Sequence, residues 1–251
     1  MVALVITHIE TEDPGHLATW LPEGGLGIQV VEPWRGDELP ASLEGYDALV
    51  VMGGPQQAYD DRSAPWLRDT KALLRAAVDQ KLPAFGICLG AQLLAEAMGG
   101  RVVEGQDGPE LGAKLVAKRD LAAADPLFWD LPLSPIVVQW HWDVIADLPP
   151  GAVLLMSSST YPHQAFRVGE CGWGIQFHIE TPPDMVVSWA RANTAELLAQ
   201  GLDPDAVLAQ TLPELPEIEE VWGEVLRRFA RLAVERKTAA SVSNGAAAPE
   251  A

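Results

Sequence analysis

Apolar positions cluster into four short runs in the N-terminal part of the chain: Val2–Thr7, Gly27–Val31, Asp47–Met52 and Pro83–Ile87. Their apolar character is nearly continuous, which predicts parallel strands covered on both faces. Between the third and fourth runs, Ala64–Lys81 carries Trp66, Leu67, Leu73, Leu74, Ala77 and Val78 near helical spacing. A second helix is expected over Leu89–Met98, stopped by Gly99-Gly100. Strands alternating with helices imply right-handed crossovers and a doubly wound, mostly parallel α/β sheet.

The pattern then changes. Arg101–Glu104, Gly112–Lys118, Pro135–Val138, Val153–Ser157, His163–Val168 and Gly172–Phe177 are short strand candidates joined by Pro and Gly turns. Such segments extend the sheet or form antiparallel ribbons beside it. From Pro183 the chain is helical again, and Ile218, Val221, Trp222, Val225, Leu226, Phe229 and Leu232 make one apolar stripe. That stripe suits docking on the sheet, or alternatively a homodimer or partner surface. The expected organisation is an α/β domain over 1–182, a C-terminal helical extension packing on it over 183–236, and a disordered tail over 237–251.

Composition narrows the function classes. With 251 residues and 48% hydrophobic content the chain supplies one large core. Its 17 basic residues against 35 acidic ones leave a net charge of −18, which disfavours nucleic acid and anionic membrane surfaces as partners. No apolar run approaches the roughly 18 residues of a spanning helix. The N-terminus lacks a basic flank and meets Glu10, Glu12 and Asp13 early, unlike a signal peptide. Only Cys88 and Cys171 are present, so no disulfide framework is available. A soluble cytoplasmic protein is expected.

The sharpest chemical signal is Gly86-Ile87-Cys88-Leu89-Gly90. It lies where an apolar strand hands over to a helix, and flanking glycines permit the sharp turn of a nucleophile elbow. A thiol at a helix N-terminus is biased toward thiolate. Cys171 has no such context and reads as a buried small hydrophobe. A nucleophilic Cys needs a His base and a group that orients it. His-x-acid occurs three times, at His8-Ile9-Glu10, His141-Trp142-Asp143 and His178-Ile179-Glu180, so the pattern alone does not choose. Period-two alternation after the strand Gly172–Phe177 would put His178 and Glu180 on one side. His8 also leaves a strand end, near the site without being the base. His141 sits in an aromatic loop, Gln139–Asp143, suited to holding a ligand. His8, His16 and His163 read as satisfied loop or core residues. Gly53-Gly54, at another strand end, can turn a backbone N–H toward a ligand, and together with the Leu89 amide one such donor could form an oxyanion hole.

Taken in order, Gly53-Gly54-Pro55, Gly86-Ile87-Cys88-Leu89-Gly90-Ala91-Gln92 and Gly174-Ile175-Gln176-Phe177-His178-Ile179-Glu180 resemble the class I glutamine amidotransferases. The likeness is strongest to the glutaminase domain of GMP synthase and spans residues 2 to 182. The resemblance implies a flavodoxin-like fold and a triad of Cys88 as nucleophile, His178 as base and Glu180 as orienter. It further implies Gly54 and Leu89 as oxyanion-hole amides, Gln92 as a glutamine-binding residue, and a contribution to substrate binding from Gly53, Trp140 and His141. No metal or cofactor is implied. The implied chemistry is attack of the thiolate on a γ-carboxamide, loss of ammonia, and hydrolysis of a γ-glutamyl thioester.

Three departures stand out. Ile179 replaces the Pro common between the family's His and Glu, and Gln56–Asp60 differs from the usual continuation. The remainder also contains nothing like an ATP-pyrophosphatase domain. Three functions stay open: an amidotransferase subunit feeding a synthetase partner, a hydrolase of glutamine or another γ-glutamyl amide, and a non-catalytic binding or regulatory module. A more distant likeness to the PfpI group shares the cysteine elbow but not the late His-x-Glu, and Glu10 and Glu12 after the first strand keep it open.

Overall fold

The computed structural model describes residues 1–245, with side chains through residue 239. The first half contains β1 (Val2–Ile6), α1 (Leu17–Glu23), β2 (Gly27–Val31), β3 (Ala48–Val51), α2 (Trp66–Asp79), β4 (Ala84–Ile87) and α3 (Leu89–Ala97). The middle contains β5 (Arg101–Glu104), β6 (Glu110–Leu115), β7 (Ala117–Lys118), β8 (Ile136–His141), β9 (Asp143–Asp147), β10 (Val153–Ser157), β11 (Ala165–Val168) and β12 (Gly172–Ile175). Four helices follow: α4 (Pro183–Ala192), α5 (Thr194–Ala199), α6 (Pro204–Thr211) and α7 (Leu215–Gly245).

Eight strands form the central sheet in the order β2-β1-β3-β4-β12-β11-β10-β7. The run from β2 to β12 is parallel, and β11, β10 and β7 continue it antiparallel. The middle segment therefore does both things its pattern allowed. It extends the sheet, and it also forms the separate ribbons β5–β9 and β6–β8. This is the doubly wound, mostly parallel architecture that the apolar runs imply, and the flavodoxin-like fold that the resemblance implies.

Each face of the sheet carries its own core. Along β1, Ala3 and Val5 enter one cluster while Leu4 and Ile6 enter the other, as period-two alternation requires. On the second face, Leu73 and Leu74 of α2 and Leu93 and Leu94 of α3 close over the strands. On the first face α7 lies beside α1. Phe229 meets the rings of Phe85 and Trp173 edge-on, with centroids 5.5 and 6.2 Å away. Trp222 is buried between Phe128 and Phe177 and donates from Nε1 to the Ile136 carbonyl at 3.0 Å.

The structure departs from the sequence reading in several places. Gln139, Trp140 and His141 are not loop residues: they complete β8, paired with Gly112, Leu111 and Glu110. Period-two alternation is hidden there because both faces of the ribbon are covered. The expected strand Gly112–Lys118 is two strands, β6 and β7, broken at Val116. α1 escaped notice because its seven residues include Pro22 and are too short to show a period. α7 continues to Gly245, into the stretch where a disordered tail was expected, and alanines at 239 and 240 favour that continuation. Residues 246–251 of that expected tail lie outside the described residues. No helix among the described residues is long and apolar enough to cross a membrane.

Candidate active site

Cys88 occupies the turn between β4 and α3 with φ +51° and ψ −107°, a conformation that costs a non-glycine residue free energy and clusters at functional sites. The flanking glycines are demanded by close packing. A Cβ on Gly90 would lie 2.1 Å from the Val51 carbonyl oxygen, and one on Gly86 would lie 2.4 Å from that of Gly90. The Cys88 N–H donates to Ile175 O at 2.8 Å, tying the elbow to β12. The thiol thus stands at the N-terminus of α3, where the helix dipole favours negative charge.

Beyond β12 the chain runs through Gln176 and Phe177 to His178. The backbone there exchanges two hydrogen bonds with Val138, 2.8 and 3.1 Å long. That bridge fixes the buried imidazole. Its Nδ1 lies 2.7 Å from Glu180 Oε1, while Glu180 Oε2 accepts the Ile179 N–H at 2.9 Å. Trp189 of α4 packs edge-on against the same ring, centroids 4.6 Å apart. Burial by itself would lower the His178 pKa. The charges of Glu180 and Cys88, and hydrogen bonds to both, override it and hold the imidazole well above 6.5. Burial would likewise raise Glu180, but the His178 charge and its hydrogen bond bring the carboxyl below the usual range. Sulfur, imidazole and carboxylate are therefore coupled in series, an arrangement suited to a thiolate–imidazolium pair.

The other expected positions lie around this pair. A Cβ on Gly54 would stand 3.1 Å from Leu89 Cδ2. Leu89 opens α3, so its N–H has no partner within the helix. A Cβ on Gly53 would collide with Glu12 Oε2 at 2.2 Å. Cys88, Gly54, Gln92, Trp140 and His141 all line one pocket of about 360 Å³. Gln92 Nε2 is 3.0 Å from the Asp143 carbonyl and 3.3 Å from Gln176 Oε1, and Gln176 Nε2 reaches Cys88 Sγ at 3.8 Å. His141 is held by the Asp143 carbonyl at Nδ1, 3.1 Å, and faces Glu110 at Nε2, 3.3 Å.

The remaining histidines have other occupations. His8 accepts from Trp66 Nε1 at 3.1 Å, and burial drives its pKa down to about 3, so it is neutral. His16 stacks on Trp20, and His163 Nδ1 meets the Ile145 carbonyl at 2.8 Å. A larger hollow of about 660 Å³, between Pro33–Leu43 and α2, contains none of Cys88, His178 and Glu180. No cluster among the described residues could hold a metal ion.

The sequence reading gave no part in the amidotransferase site to two residues that line the pocket, Glu12 and Trp189, or to Gln176, which reaches Cys88 from the end of β12. Gln176 lies in the quoted motif but was given no part. Glu12 is one acid among several in the loop after β1. Trp189 lies beyond position 182, in a segment read as an appendage. Only the alternation of Gln176 with His178 along the strand offered a signal.

A strand-to-helix cysteine elbow on a doubly wound sheet, near a hydrogen-bonded His–carboxylate pair, is an arrangement suited to nucleophilic chemistry at Cys88. The family model of class-I glutamine amidotransferases matches residues 21–185, and the chain belongs to that family. A crystal structure of a glutamine amidotransferase from Thermotoga maritima superposes with a TM-score of 0.81 and 30% identity, covering 92% of this chain and 98% of that one. The glutamine amidotransferase-like protein YfeJ of Salmonella typhimurium is 30% identical over 78% of this chain and 83% of its own length. GMP synthase of Porphyromonas gingivalis is 35% identical over 59% of this chain, but the match spans only 28% of that enzyme. Gamma-glutamyl peptidase 4 of Arabidopsis thaliana is 29% identical over 57% of each chain.

Proposed function

We propose that this chain hydrolyses the γ-carboxamide of glutamine, or of another γ-glutamyl amide, through a Cys88 thioester. The observation that carries this reading is the strained elbow that presents Cys88 to an imidazole already hydrogen-bonded to Glu180. The thiolate of Cys88 attacks the amide carbon and the carbonyl oxygen becomes an oxyanion. The amides of Gly54 and Leu89 receive that charge, each donor of this kind being worth about 2.7–4 kcal/mol. His178 gives its proton to the departing nitrogen as the C–N bond breaks. Water, deprotonated by His178, then cleaves the thioester and restores the thiol. Gln92, Gly53, Trp140 and His141 hold the glutamyl portion. Glu180 keeps the proton-bearing Nδ1 fixed and stabilises the imidazolium.

The nitrogen is either passed to a synthetase partner or released to water. Likeness to GMP synthase supports the first outcome and likeness to a gamma-glutamyl peptidase the second. A hydrolysis screen over glutamine and γ-glutamyl amides, with Cys88→Ala as control, tests the reading. Turnover by the wild type alone supports it. Absence of turnover, and of any acyl adduct on Cys88, leaves a binding or regulatory module instead. Recovery of a synthetase with the chain from its native source, with turnover rising in the complex, separates the subunit from the free-standing hydrolase.

A further inference from the structure

A carboxylate that none of these steps uses lies beside the His178 ring. Glu12 belongs to the loop between β1 and α1, and that loop is fixed on the triad itself. The His16 N–H donates to the Glu180 carbonyl at 2.9 Å. Gly15, with φ +51°, approaches so closely that a Cβ there would sit 2.2 Å from the same oxygen. Glu12 as a residue is half-buried, but its Oε2 is completely enclosed and has no hydrogen-bond partner. Oε2 and His178 Cε1 lie 2.2 and 2.9 Å from one point, the place a Gly53 Cβ would take. A carboxylate oxygen enclosed without a donor costs free energy, and Glu12 is among the residues that line the pocket. Burial raises its pKa to about 7, with the His178 charge opposing and the Glu180 charge adding.

The rest of the wall carries the same sign. The pocket that Glu12 shares with Cys88 also includes Asp143, and neither Lys nor Arg lines it. Position tells which part of a substrate would meet Glu12. His178 would hand its proton to the departing nitrogen, and Glu12 lies beside that ring and lines the same pocket as Cys88.

Resting on the γ-glutamyl reading above, we propose that Glu12 is a specificity-determining residue that receives a cationic group on the leaving amine. The favoured substrates are then γ-glutamyl amides of diamines, whose second nitrogen is protonated. The chemical step is unchanged: Cys88 displaces the diamine nitrogen, which takes the His178 proton, and water releases glutamate. An alkylammonium stays charged to about pH 10, so the preference strengthens as Glu12 ionises with rising pH. His178 and Glu180 are the charged groups that act on it.

The test compares kcat/KM of the full chain for three synthetic amides. These are γ-glutamyl ethylamide (neutral), γ-glutamyl 4-aminobutylamide (cationic) and γ-glutamylglycine (anionic). The cationic amide is expected to exceed the neutral one by about tenfold, the size of one charge-assisted hydrogen bond, and the anionic one to be poorest. Glu12→Gln brings the cationic-to-neutral ratio close to one, and Glu12→Asp keeps part of it. Because the readout is a ratio within each variant, a general loss of activity does not mimic the effect. A wild type without the preference, or an unchanged ratio in Glu12→Gln, overturns the role of Glu12 while leaving the γ-glutamyl reading standing. Failure to cleave any of the amides, or glutamine, overturns both.

Discussion

The strand pair β4–β12 carries a cysteine at each end. Cys171 precedes β12, and its carbonyl accepts the Ala84 N–H at 2.8 Å; Cys88 follows β4, and its N–H donates to Ile175 O at 2.8 Å. Both are free and both are buried, at 0% and 7% exposure. Burial therefore does not distinguish them. At the amino end, burial pushes the Cys171 thiol up, with the Arg236, Lys81 and Arg167 charges opposing and Glu170 adding to it. At the carboxyl end the chain turns sharply into α3, the loops after β1 and β3 line the same pocket as Cys88, and Gln176 after β12 reaches the sulfur. Ligands gather at the carboxyl edge of open α/β sheets because strand-end loops and helix N-termini meet there. The same residue on the same strand pair takes its chemistry from the edge it occupies.

The largest expected contrast lies in the nucleophile itself. Cys88→Ala should lower turnover by about 10⁴-fold or more, as loss of a nucleophile does. Cys171→Ala should keep turnover and cost stability of the order of 1 kcal/mol, measured by urea unfolding. Equal losses of turnover from both would erase the distinction. His178→Gln should reduce kcat by about 10³-fold or more, and alkylation of Cys88 by iodoacetamide should slow while that of Cys171 does not change.

Smaller effects probe how each end is supported. Trp173, two residues beyond Cys171, packs on Phe229 of α7. Phe229→Ala should cost about 3–5 kcal/mol in urea unfolding, and a near-zero loss would mean that α7 does not brace the sheet. The pH dependence is subtler. The folded His178 pKa lies well above its unfolded value. Its contribution to stability is thus fully present below about pH 6.5 and fades as pH rises through the folded value. The Tm gap between wild type and His178→Gln should accordingly shrink on moving to alkaline pH, and a gap that widens contradicts the assignment.

Much of this was legible in the residues. The continuous apolar runs specified the parallel half of the sheet because strands covered on both faces leave no polar alternation. Gly86-Ile87-Cys88-Leu89-Gly90 specified the elbow because both glycines are needed for backbone approach. The choice among three His-x-acid pairs was not legible from spacing alone. It depends on which strand end lies beside β4, and β12 takes that place only through a long-range pairing. Trp140 and His141 are strand residues instead of loop residues for a similar reason, since their partner β6 is distant in sequence. Trp189 and Glu12 reach the pocket from α4 and from the loop after β1; nothing local marks Trp189, and Glu12 stands out only as an acid after the first strand, the feature of the PfpI-like alternative. The ring at Trp189 lies past the end of the family match at 185, so the helical extension contributes to the pocket wall as well as to packing.

One measurement bears most directly on the central claim. The protein is treated with a diazoketone or chloroketone analogue of glutamine, and peptides are mapped by mass spectrometry, with glutamine added as competitor. The account predicts a single γ-glutamyl-type adduct on Cys88, protected by the competitor and lost in His178→Gln, with Cys171 unmodified. An adduct on Cys171, or labelling of the two cysteines at equal rates without protection, would contradict it.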